Sequence, residues 1–144
     1  ALGGALSTTS VDMSNTYLGW LRKNLAHNGL GETTHHRVKA NCITWLSEAE
    51  NTYDLIMLDP PSFSNSKSME DTFDIQRDHV GLARSAMNVL RRDGAMYFST
   101  NRRGFVLDDE LSAQYLCADI SRDTLDPDFQ RNSNIHKCWR ITHR

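Results

Sequence analysis

The chain has 144 residues, enough for one ordinary domain with a single core, and its 39% hydrophobic and 24% charged content is that of a soluble globular protein. A net charge of −2 argues against indiscriminate binding to nucleic acid, while leaving room for a local basic face. No apolar run approaches the roughly 20 residues that span a bilayer, no signal peptide is visible, and Cys42, Cys117 and Cys138 lack a CxxC pairing, so the sequence reads as cytoplasmic, with neither a disulfide framework nor a zinc site.

A β-prone run from Ser7 to Val11 ends at Asp12. Ser14 is the natural N-cap of the next segment, SNTYLGWLRKNLAHNG. Tyr17, Leu21 and Leu25 recur there with Leu18 beside them, which predicts one apolar helix face, and Gly29 stops it. A short strand over His36 to Ala40 and a short helix over Ile43 to Ala49 follow. Tyr53 to Leu58 is a continuous apolar strand of the kind buried on both faces in a parallel sheet. It runs into Asp59, then Pro60, Pro61, Ser62 and Phe63.

Glu70 to Arg92 reads as a long helix with Ala83, Ala86, Met87 and Leu90 on its buried side. Asp93-Gly94 closes it, Ala95 to Thr100 forms a strand, and Asp108 to Tyr115 a helix. Two further strands, Leu116 to Ser121 and His136 to Thr142, flank the turn-rich LDPDFQRNSN. Alternating strands and helices followed by a hairpin predict an α/β fold with a parallel sheet and an antiparallel edge.

In such a sheet, ligands bind beyond the carboxyl ends of the strands. Asp12 sits where an acid could accept bonds from a ribose diol, or it is simply a turn former. Asn41 could meet an adenine edge, although turn propensity also explains it. Asp59 is harder to account for structurally, because a turn does not need a carboxylate, two prolines and an aromatic ring in succession. Asn101, Arg102 and Arg103 end the next strand and suit phosphate or base contacts. Lys67 and Arg77 are further phosphate contacts or plain surface charges. The six histidines form no metal pattern, and Cys42 reads as a small core residue rather than a nucleophile.

Three segments, DPPSFSNSKSMEDTFDIQRDH, FSTNRRGF and DFQRNSNIHKCWRIT, together with a likeness over the whole chain, resemble the C-terminal methyltransferase (RlmK) domain of the bacterial fused 23S rRNA methyltransferases RlmKL. The resemblance implies a Rossmann-like, S-adenosylmethionine-dependent methyltransferase domain over residues 1–144 that modifies guanine N7 in 23S rRNA. It also implies that Asp59, Pro60, Pro61 and Phe63 are catalytic, and that Asp12, Met13, Asn41, Cys42 and Asp59 hold the cofactor. Lys67, Arg77, Asn101, Arg102 and Arg103 would hold the RNA. No metal is implied.

The family begins this domain with a strand and a glycine loop that this sequence lacks, and Gly3-Gly4 is not that loop. Where the family often has an acid before Cys42, this chain has Asn41. In the family the missing strand lies mid-sheet, between those ending at Asp12 and Asp59. Its absence predicts exposed sheet edges, either strand exchange or homo-oligomerisation or else incomplete order, together with weak cofactor binding and an inactive isolated chain. Competing readings are methylation of cytosine C5, which needs a cysteine nucleophile, or of an exocyclic amine of RNA or DNA, and a non-catalytic RNA-binding module. A nicotinamide domain is disfavoured by the lack of GxGxxG.

Overall fold

Ser14 ends the first strand and begins the first helix. Its amide donates to Asp12 Oδ1 at 2.7 Å, and its hydroxyl accepts from the Tyr17 amide at 3.3 Å, so two short polar side chains turn the backbone and cap the helix. The structure, a computed structural model, describes residues 1–64 and 72–144, which fall into two units, Ala1–Ala49 and Glu50–Arg144. Among the described residues no helix is long and apolar enough to cross a membrane.

In the first unit, β1 (Thr8–Asp12) and β2 (His35–Lys39) pair in parallel, which requires the crossover that α1 (Asn15–His27) supplies. Helix α2 (Cys42–Glu48) follows, capped by Asn41, whose Oδ1 accepts from the Ile43 amide at 2.9 Å. Each element lies within a residue or so of its expected place. Tyr17 does not: it is 58% exposed. Leu18 and Leu25, two turns apart, set the buried stripe of α1. Tyr17 instead packs its ring on exposed Trp20, with centroids 5.5 Å apart.

The second unit contains β3 (Tyr53–Leu58), β4 (Phe63–Ser64), β5 (Phe73–Asp74), α3 (Ile75–Asn88), β6 (Leu90–Thr100), α4 (Asp109–Gln114), β7 (Leu116–Asp119), a 3-10 segment (Pro127–Ile135) and β8 (Lys137–Thr142). The main sheet has the order β3-β6-β8-β7, with β3 parallel to β6 and β8 antiparallel to both neighbours. This is a Rossmann-like α/β arrangement ending in an antiparallel hairpin. One sheet face carries Leu58, Met96, Phe98, Trp139 and Ile141. It packs with Ile75, His79, Leu82, Ala86 and Met87 of α3, and with Phe105 and Leu111, to form the core.

Several expectations are corrected. Helix α3 begins at Ile75 because Asp74 caps it, accepting from the Gln76 and Arg77 amides, and it ends at Asn88. Leu90, expected on that helix, already belongs to β6, and Asp93-Gly94 lies inside this strand rather than before it. The register passes from Tyr53↔Leu90 to Leu55↔Ala95, so the extra residues of β6 bulge there. Strand β3 is not buried on both faces either. Ile56 and Leu58 face the core side, whereas Leu55 is 57% and Met57 68% exposed on the opposite, uncovered face. Among the described residues, β1 pairs only with β2, and β3 only with β6. The LDPDFQRNSN stretch is mostly a 3-10 segment, capped by Asp126 and kinked at Asn132.

Candidate active site

The carboxyl end of β3 is fixed from its neighbour. Leu58 pairs with Phe98, so the next residues, Asp59 and Ser99, come together, and Ser99 Oγ donates to Asp59 Oδ1 at 2.8 Å. Pro60 and Pro61 have no amide to donate, so the ladder cannot continue. The chain turns away and pairs with itself, Phe63 opposite Asp74 and Ser64 opposite Phe73, while the Ile75 amide donates to the Ser62 carbonyl at 3.3 Å. In that small pair Phe73 is buried, whereas Phe63 is 56% exposed at the strand end.

Three ties hold the loop after β6 against α3. Arg102 Nη1 donates to Asp74 at 2.8 Å from both carboxylate oxygens, and this bond first of all holds the Asp74 carboxyl below the usual carboxylate range. Gln76 donates through Nε2 to the Val106 carbonyl at 2.8 Å, and its Oε1 accepts from the Val106 amide at 3.0 Å. The buried His79 is the third. Its Nε2 accepts from the Asp108 amide at 3.1 Å, so the ring proton sits on Nδ1, which lies 3.0 Å from the Ile75 and Gln76 carbonyls. Phe105 packs edge-on against this ring at 4.8 Å.

These ties decide where the expected residues point. Asp59, Pro60, Pro61 and Phe63 lie at the end of β3, next to the Asn101–Arg103 end of β6. Asn101 and Arg103 are exposed, but the Arg102 guanidinium is turned onto Asp74. Arg77 bonds to Asp78 at 2.7 Å and to the Thr72 carbonyl. Lys67 lies outside the described residues. In the first unit, Asp12 and Met13 follow β1, while Asn41 and Cys42 follow the adjacent end of β2, where the Ala40 amide donates to the Asp12 carbonyl at 3.3 Å. Burial pushes the Cys42, Cys117 and Cys138 thiols up, as suits packing residues rather than thiolates. Among the described residues no cluster of His, Cys, Asp or Glu could hold a metal.

Ser99, Asp74, Gln76 and His79 were not singled out from the sequence. Asp74 carried a readable signal, a cap residue directly before an apolar-periodic run. Ser99 carried none, because its partner lies 40 residues away along the chain.

Residues 3–112 match the profile of the family described as Conserved hypothetical protein 95. Among curated proteins, the chain is 57% identical to the ribosomal RNA large subunit methyltransferase K/L of Magnetococcus marinus, over 99% of this chain and 20% of that protein. It is 52% identical to its counterpart from Acinetobacter baylyi, over 99% and 20%. The chain thus spans about one fifth of the length of these relatives. Among solved structures, a protein assigned as a methyltransferase and complexed with SAH superposes with a TM-score of 0.74 at 25% identity, over 97% of this chain and 40% of the other. The SAM-dependent methyltransferase from Agrobacterium tumefaciens shares the fold, with a TM-score of 0.74 at 13% identity over 99% and 50%. With its profile matched across most of its length, the chain belongs to the Conserved hypothetical protein 95 family.

Proposed function

We propose that this chain forms part of the catalytic domain of an S-adenosylmethionine-dependent methyltransferase that acts on N7 of a guanine in 23S rRNA. The observation that carries the reading is the Asp59–Phe63 elbow, with a carboxylate anchored by Ser99, a rigid diproline and an exposed ring in succession. The names and SAH complex of the similar proteins support it.

Guanine N7 has an in-plane lone pair and no proton to lose, so the enzyme needs alignment and water exclusion more than a general base. When bound, S-adenosylmethionine supplies an electrophilic methyl on a sulfonium. The Pro60-Pro61 stop fixes the Asp59 carboxylate and the Pro60 carbonyl as acceptors for the base or the cofactor, and Phe63 stacks on an extruded guanine. Asn101 and Arg103 are the exposed contacts for the flanking RNA. Toward the cofactor, Asp12 uses Oδ1 on the Ser14 amide and keeps Oδ2 for a ribose hydroxyl. Asn41 uses its oxygen on the Ile43 amide and keeps its NH2 group for the adenine edge, beside Met13 and Cys42. Cytosine C5 chemistry, which needs a cysteine nucleophile, is disfavoured because none of Cys42, Cys117 and Cys138 directly follows the Pro60-Pro61 elbow or any other proline.

The test is incubation of the full-length protein with unmethylated 23S rRNA and isotopically labelled S-adenosylmethionine, followed by nucleoside mass spectrometry. Labelled 7-methylguanosine is expected. Label on a pyrimidine, with no labelled 7-methylguanosine, would refute the proposal.

A further inference from the structure

Two open clefts flank Arg103 in the second unit. One, of about 550 Å³, is walled by Leu125, Phe129, Ile135 and His136 as well as Arg103. The other, of about 530 Å³, is reached by Asn132, Asn134 and Lys137. Arg103 borders both, so one guanidinium stands on the ridge between two cavities of similar size.

The two clefts differ in chemistry. In the first, Phe129 is 55% exposed on the 3-10 segment, beside the aliphatic Leu125 and Ile135. An exposed ring against aliphatic walls offers a stacking platform for a planar base. The far wall is pinned by Thr124, whose hydroxyl gives its proton to the Ile120 carbonyl at 3.0 Å and therefore accepts from His136 Nε2 at 3.1 Å. Asp126 also borders this cleft. Its Oδ1 accepts from the Asp128 amide at 3.0 Å, capping the segment. Its negative charge repels a phosphate, which confines a nucleic-acid backbone to the Arg103 side.

The second cleft is lined by the amides of Asn132 and Asn134 and by the exposed, apolar Val106. The 3-10 segment breaks at Asn132, at φ −139° and ψ 78°, and both Asn132 at the break and Asn134 beyond it border the cleft. Amides can donate to and accept from any base edge. Gly104, at φ +70°, reverses the chain so that Phe105 is buried while Arg103 stays exposed on the ridge. No described residue forms an ion pair with Arg103, in contrast to Arg102.

We infer that these clefts hold two successive nucleotides of single-stranded RNA, with one base on Phe129, the next against Asn132 and Asn134, and the phosphate between them on Arg103. Lys137 takes the next phosphate. The inference deepens the proposed function, on which it rests for the identity of the ligand as RNA. It assigns the RNA strand next to the target base to the 3-10 segment.

The test uses the full-length protein and a single-stranded RNA decamer carrying 4-thiouridine. Ultraviolet crosslinking followed by peptide mass spectrometry is expected to place an adduct on the peptide containing Phe129. Phe129→Ala should lower adduct yield and decamer affinity about tenfold, while Phe129→Trp, which keeps a stacking surface, should retain both. Arg103→Ala should weaken binding and make its salt dependence shallower by roughly one phosphate contact. Adducts confined to other segments, or equal affinity in Phe129→Ala, would overturn the inference. Labelled 7-methylguanosine without this adduct would overturn the clefts alone. The adduct without methyl transfer to RNA would uphold the clefts and overturn the catalytic reading.

Discussion

Ser99 Oγ and Asp59 Oδ1 lie 2.8 Å apart, joining the carboxyl ends of two adjacent parallel strands. Ser99→Ala removes the donor while leaving the buried Phe98 beside it in place. Methyl transfer should fall about 2- to 10-fold, the equivalent of roughly 0.5–1.5 kcal/mol for one hydrogen bond, with little change in melting temperature. Asp59→Ala removes the acceptor itself and should cost on the order of 100-fold or more, because misplaced reacting groups are penalised steeply. Steady-state kinetics on the full-length protein reads both. Wild-type rates in either variant would take the elbow out of the mechanism.

Phe63 is 56% exposed, so its truncation leaves no cavity. Phe63→Ala should change folding stability by less than about 0.5 kcal/mol yet weaken productive RNA engagement by about 1–3 kcal/mol. Comparing denaturant unfolding with kcat/KM for RNA separates the two effects. A large stability loss with unchanged kcat/KM would make Phe63 structural.

Asp74 and Arg102 give the second unit an acid-sensitive contact. Because the folded-state carboxyl titrates below its ordinary value of about 4, the pair's stabilisation is present above that value and is lost as pH falls through the depressed one. Asp74→Asn should therefore destabilise the protein at neutral pH and flatten part of the stability loss seen in strong acid. Unfolding midpoints measured across acidic pH check this. A variant with the same acid profile as the wild type would contradict it.

His79 is 1% exposed and joins the start of α3 to the residue capping α4. His79→Ala opens a cavity and orphans the Asp108 amide, so a loss of about 3 kcal/mol is expected. Hydrogen exchange at Asp108 should accelerate along with it. Preserved protection there would show that the ring is not the anchor.

Gly94 leaves no room for a side chain. An added Cβ would lie 2.8 Å from the Asp54 carbonyl oxygen and 3.0 Å from that of Arg91, both backbone atoms. Gly94→Ala should destabilise the protein by about 1–3 kcal/mol, measured by denaturant unfolding. A neutral substitution would mean that the bulge in β6 can relax.

Much of the fold was legible because its signals are local. The Ser14 cap, the apolar run ending at Leu58 and the turn before β8 each announce themselves within a few residues. The errors came where a distant partner decides the outcome. Gly94 looked like a helix stop, but the register with β3 draws it into a strand. Leu55 and Met57 looked like core, but the face they occupy is uncovered. At the site, Asp59 and its prolines were readable as a break in pattern. The commitment of Arg102 to Asp74, and of Ser99 to Asp59, depends on pairings 28 and 40 residues apart that no local pattern encodes.

The most direct test of the central claim removes the acceptor atom itself. 23S rRNA transcribed with 7-deazaguanosine keeps the base shape but replaces N7 with carbon. With the full-length protein and labelled S-adenosylmethionine, the normal transcript should carry labelled 7-methylguanosine at a nucleotide that takes up no label in the 7-deaza RNA. Equal label at that nucleotide in both RNAs would contradict methyl transfer to guanine N7.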